Sequence, residues 1–179
     1  MEDPEESTMR HRVGAGSSSG DSPYKESTII LASSESDERF GDFALQSAEA
    51  LARSLGGRFD SEKQAFVCSW ERSRAESQRF LSTSLSSSGL ALLSDVDRLS
   101  GEAALALHGF CDGDQAPHKR AVVLLTVRLP VGVDCSEEEV ETRLKTGWRL
   151  HDDAFAPLWS RVGAFVVCVD SATPRQEDP

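Results

Sequence analysis

The chain has 179 residues, 39% hydrophobic and 27% charged, with 19 basic against 30 acidic side chains and a net charge of −11. A chain of this length carries one domain that buries about two thirds of its unfolded surface, so neither metal nor disulfide is needed to fold it. The negative field disfavours nucleic acid, and no apolar run approaches the roughly 20 residues that a membrane helix needs.

The opening "MEDPEESTMRHR" is acidic and has no apolar core, unlike a secretory signal or transit peptide, which predicts a cytoplasmic or nuclear protein. Residues 1–25 continue through "GAGSSSGDSP" with almost no large apolar side chain and are expected to be a disordered tail; 171–179 read the same way. Between the tails, 26–170 form one domain. Three serines near acids or proline, Ser22, Ser34 and Ser36, are candidate phosphorylation sites, the last two at the start of the first helix, where the dipole favours added negative charge.

"STIILAS" at 27–33 is a short β-branched run bounded by serines and predicts a strand. Phe40, Phe43, Ala44, Ala48, Leu51, Ala52 and Leu55 then recur at helical spacing until Gly56-Gly57. After "RFDSEK", read as a short strand or turn, "QAFVCSW" predicts a second strand that sets Phe66, Cys68 and Trp70 on one face, followed by a helix from about 71 to 85. Cys68 and Arg74 stand at the C-x5-R spacing of cysteine-dependent phosphatases and rhodaneses, where a helix-mouth thiolate attacks and the arginine clamps the anion. The interior "SWERS" has no glycine, a bulky Trp70 and an acidic Glu71, so Cys68 is expected to fill the core, with the nucleophile as the rival.

"GLALLSD" at 89–95 suits a strand or a helix start. "EAALALHGF" at 102–110 is ambiguous; read as a strand, it makes an antiparallel hairpin through "CDGDQAPHK" with the clear strand "RAVVLLTVRLP". That last strand is apolar on both faces and therefore central. His108, Cys111 and His118, with Asp112 and Asp114, outline half of a zinc site; the other half is missing, and turn chemistry explains the composition. No metal or other cofactor is expected. Cys68, Cys111, Cys135 and Cys168 are widely spaced, and in a reducing compartment they would be buried thiols.

Ser136 and Glu139 form an S-x-x-E capping box that opens a surface helix over 137–146; a second short helix follows with Asp152 or Asp153 as its cap, and "AFVVCVD" closes the domain as a strand. Together these elements predict an α/β (α+β) fold, a two-layer sandwich of helices on a mixed, largely antiparallel sheet, with a ferredoxin-like unit possible in the first half. With no Gly-rich phosphate loop and no serine triad, the expected function is non-enzymatic binding of another protein, as an adaptor, regulator or complex subunit. Trp148, in "TGWRL" between two helices, is the candidate partner anchor. The alternatives are the Cys68/Arg74 enzyme and a nucleic-acid-binding ferredoxin-like domain.

Overall fold

The computed structural model describes residues 27–111 and 121–169. Ser22, Asp112, Asp114, His118 and both expected tails lie outside them.

The elements run β1 (Ser27–Ser34), α1 (Phe40–Ser54), α2 (Ser61–Gln64), β2 (Ala65–Val67), α3 (Arg74–Ser88), β3 (Leu90–Ser94), α4 (Gly101–Ala104), β4 (Val122–Leu129), α5 (Glu137–Trp148), α6 (Asp152–Val162) and β5 (Val166–Cys168). The five strands among the described residues form one sheet in the order β2-β3-β4-β1-β5, and every pairing is parallel. The sheet is therefore neither mixed nor antiparallel, and no ferredoxin-like unit forms.

The hairpin expectation failed at one segment. Residues 101–109 are helical, as α4 and a 3-10 turn over Leu105–Gly109, not a strand. The Ala-Leu composition favours helix, and Ser100 caps the segment through a hydrogen bond from the Ala103 amide at 3.2 Å. With a helix between β3 and β4, the chain has the crossover that parallel neighbours require. The apolar doubling of β4 is then explained, since a parallel sheet is covered on both faces.

Alternation along each strand divides the core into two layers. On one face Leu31, Leu90, Leu92 and Leu124 meet a ridge of Phe40, Ala44, Ala48 and Ala52 from α1. On the other, Ile30, Ala91, Leu93, Val123, Leu125 and Val127 meet Leu81 and Leu85 of α3, Val140 and Leu144 of α5, and Phe155 and Leu158 of α6. Helix α5 is longer than expected and seats deeper. Gly147 lies inside it, where a Cβ would collide with the carbonyl oxygen of Asp97. Trp148 is 1% exposed and donates from Nε1 to the Val96 carbonyl at 2.7 Å. Cys135 and Cys168 are joined in a disulfide that links the turn before α5 to β5, while Cys68 and Cys111 are buried thiols. The bonded pair lies 33 positions apart in sequence, a spacing that carries no local signal of pairing.

Candidate functional site

In an open parallel sheet, ligands bind beyond the carboxyl ends of the strands, where successive connections leave toward opposite faces. Here that point lies between β1 and β4. The chain leaves β1 for α1 on one face and leaves β4 for α5 and α6 on the other. The loops bordering this crevice are Glu35–Arg39 after β1, the Asp95–Ser100 stretch after β3, and the turn after β4.

Each loop is held by the protein itself. The Glu35 amide donates to the Leu129 carbonyl at 2.8 Å, joining the β1 and β4 exits. Asp37 is buried: Oδ2 accepts from the Ser33 hydroxyl at 3.1 Å and Oδ1 from the Arg39 amide at 3.0 Å. Its carboxylate thus occupies the approach to the N-terminus of α1, where a bound phosphate would otherwise find backbone amides. Arg128, the one charged residue of β4, reaches out of the sheet. Its Nε donates to Asp95 Oδ1 at 3.2 Å, its Nη1 to the Asp37 carbonyl at 3.2 Å, and its guanidinium lies 5.4 Å from the centre of the Phe40 ring.

A second arginine closes the outer side. Arg143 of α5 donates from Nη2 to Glu35 Oε1 at 2.8 Å and from Nε to Asp97 Oδ2 at 3.1 Å. The Asp97 side chain is 1% exposed. Burial pushes its pKa above the ordinary 3.8, with the Arg143 charge opposing. Asp95, which follows β3, takes a left-handed conformation at φ 57° and accepts Arg128, while its amide donates to Thr126 Oγ1 at 2.9 Å. Asp tolerates that backbone region better than most side chains.

The carboxylates of Glu35, Asp95 and Asp97 thus pair with the two guanidiniums, beside the buried Asp37, at the crevice where sheets of this topology bind ligands. A phosphate-binding loop needs glycines, consecutive inward amides and a lysine. The β1 exit "ESDER" has neither glycine nor lysine and adds three acids. Chemically, the arrangement ties loops together and repels polyanions.

The C-x5-R pair is not a phosphate cradle. Cys68 is 2% exposed, its amide donates to the Ser94 carbonyl at 2.9 Å, and burial, with the Asp95 and Asp97 charges, drives its thiol far above the usual range. The loop amides turn toward the chain: that of Arg72 to the Ser69 carbonyl at 3.1 Å and that of Ser73 to Glu76 Oε2 at 2.8 Å. Ser73 and Glu76 make a reciprocal capping box, an S-x-x-E signal present in the sequence that sets the start of α3. Arg74 pairs with Glu102 at 3.7 Å. His108 is half-buried in the 3-10 turn and Cys111 is buried beside it; among the described residues no group of three or more potential ligands could hold a metal. Ser34 and Ser36 lie on the β1 exit, their hydroxyls 3.0 Å apart.

The tryptophans exchange their expected places. Trp148 is in the core. Trp70, predicted to line it, lies past the end of β2 and is 55% exposed, with the Arg149 guanidinium 5.2 Å from its ring centre and Val67 also exposed nearby in sequence. At the opposite edge of the sheet Phe165 and Val167 are exposed as well.

No family model and no curated protein matches the chain. Among solved structures, the crystal structure of a DNA polymerase III gamma subunit-related protein from Thermotoga maritima is similar, at 15% identity and a TM-score of 0.50. The likeness covers 84% of this chain and 43% of that one, and at such identity the two share a fold and no more than that is shown.

Proposed function

We propose that this chain works by binding another protein, as a non-catalytic subunit or regulator of an assembly. The observation that carries this reading is the filled crevice: Arg128 and Arg143, held by Asp95, Asp97, Glu35 and the Asp37 carbonyl, occupy the position at which sheets of this topology bind small ligands. Opening it to a polyphosphate would break these contacts and set a polyanion among four carboxylates. The similar Thermotoga maritima protein is related to a DNA polymerase III gamma subunit, in keeping with a role inside an assembly.

The surface best suited to a partner is the end of β2, where Val67 and Trp70 are exposed and Arg149 stacks on the indole. Tryptophan and arginine are the side chains over-represented among energetic anchors of interfaces. Trp70 supports the role first assigned by sequence to Trp148. Because Trp70 is already solvated, Trp70→Ala should change folding stability by no more than about 0.5 kcal/mol. Full-length tagged protein recovered from its own cells under native conditions should carry a stoichiometric polypeptide partner, and W70A should weaken that association at least tenfold, about 1.4 kcal/mol. Equal recovery with W70A would remove Trp70 as the anchor; a wild-type chain recovered alone would overturn the binding role.

A further inference from the structure

Strand β5 is weakly held by everything except one covalent bond. Among the described residues it pairs only with β1, over three residues, with flanking hydrogen bonds from the Ile30 amide to the Phe165 carbonyl and from the Val169 amide to the Ala32 carbonyl, both 2.8 Å. Of its side chains, Val166 is half-buried against the core while Val167 and Cys168 are exposed, as is the preceding Phe165. An edge strand with so little burial sits at the low end of local stability. The Cys135–Cys168 disulfide ties its end to the turn just before α5. Helix α5 is in turn fixed to the body by Trp148 and Arg143, so the bond ties β5 to a helix seated in the core.

We propose that this disulfide is a redox-controlled latch on the fifth strand. Oxidised, it keeps β5 on β1. Reduced by a thiol of the glutathione or dithiol class, it releases residues 164–169 and uncovers the outer edge of β1, with the Ile30 amide and Ala32 carbonyl open to another extended segment. In the step, a reductant thiolate attacks the sulfur of Cys168, the sulfur–sulfur bond breaks, and Cys135 leaves as a thiolate that takes a proton. A second reductant thiolate then attacks the mixed disulfide and expels Cys168, which is protonated in turn; two electrons pass to the protein and the reductant leaves as its own disulfide. Cys68 and Cys111 are buried and do not compete for exchange.

Residue-resolved amide hydrogen exchange on the full chain tests this, comparing the oxidised protein, the protein in dithiothreitol, and the Cys135→Ser/Cys168→Ser double variant. The expected result is at least about tenfold faster exchange of the Ile30 and Val169 amides in both reduced forms, with β3 and β4 amides such as Leu92 and Leu124 unchanged. Unchanged protection at Ile30 and Val169 would overturn the latch. So would a loss of protection across every strand, or a bond that dithiothreitol does not reduce in the folded protein. Reduction of the preformed protein keeps the test decisive should the double variant fail to fold.

Discussion

At Asp97 a carboxylate with a 1% exposed side chain meets the Arg143 guanidinium, and its protonation reports directly on the closed crevice. The folded protein binds the Asp97 proton more tightly than the unfolded chain, whose carboxyl titrates near 3.8. In the window above that value, this group therefore makes stability fall as pH rises and recover as pH falls. Asp60, Glu76 and Asp152 act with the opposite sign: hydrogen bonds from Lys63, Ser73 and Lys145 respectively hold these exposed groups below their ordinary values, and they lose stability on acidification. Comparison with Asp97→Asn cancels the surface groups. Denaturant melts from neutral pH toward 4 should show the wild type gaining stability relative to D97N; a pH-independent difference would contradict the assigned burial. Little of this was legible in sequence, because acids directly after β1 and β3 look like ordinary loop residues until Arg128 and Arg143 are brought to them. The fate of Cys68 was legible, since the apolar run before it and the absence of glycine after it both point to a buried thiol. The tryptophan exchange was not: β2 ends at Val67, so the alternation that would have turned Trp70 inward stops before reaching it.

Among the elements, the clearest contrast is between two helical glycines. Gly147 of α5 rests against the Asp97 carbonyl, so Gly147→Ala must push the helix off the loop that carries Asp97 and Val96. Gly41 of α1 has no atom within 4 Å of an added Cβ, so Gly41→Ala removes only the flexibility of the unfolded chain and raises helix propensity. Chemical denaturation should find G147A destabilised by about 1–3 kcal/mol, as overpacked sites are, and G41A stabilised by about 0.5–1 kcal/mol. Equal effects would mean that α5 is not seated on that loop. The sequence ends this helix at residue 146, yet it runs to Trp148, and Gly147 inside it serves close approach. Most other elements were recoverable from periodicity and caps: β1, α1, β4, the Ser136 start of α5 and the body of α6. The segment 101–109 was not, because Leu105 and Leu107 alternate as in a strand while the alanines favour helix, and tertiary packing of Ala103, Ala104 and Leu107 decides between them.

For the whole molecule, that one segment determined the topology. Reading 102–110 as a strand turned a β-helix-β crossover into a hairpin, and with it a parallel sheet into an antiparallel one. The two-faced apolarity of β4 carried the correct answer, since a strand buried on both sides belongs to a sheet with helices on both faces. The negative charge of the chain and the four carboxylates at the crevice act in the same direction, against polyanionic ligands. The account as a whole rests on a crevice filled by its own ion pairs. Its most direct test is a titration of the full chain with magnesium ATP, to millimolar concentration, followed by amide nuclear magnetic resonance shifts. The account predicts no saturable change at Glu35–Arg39, Asp95–Asp97, Arg128 or Arg143. Saturable shifts at those amides, abolished by Arg128→Ala, would contradict it and make the crevice a ligand site.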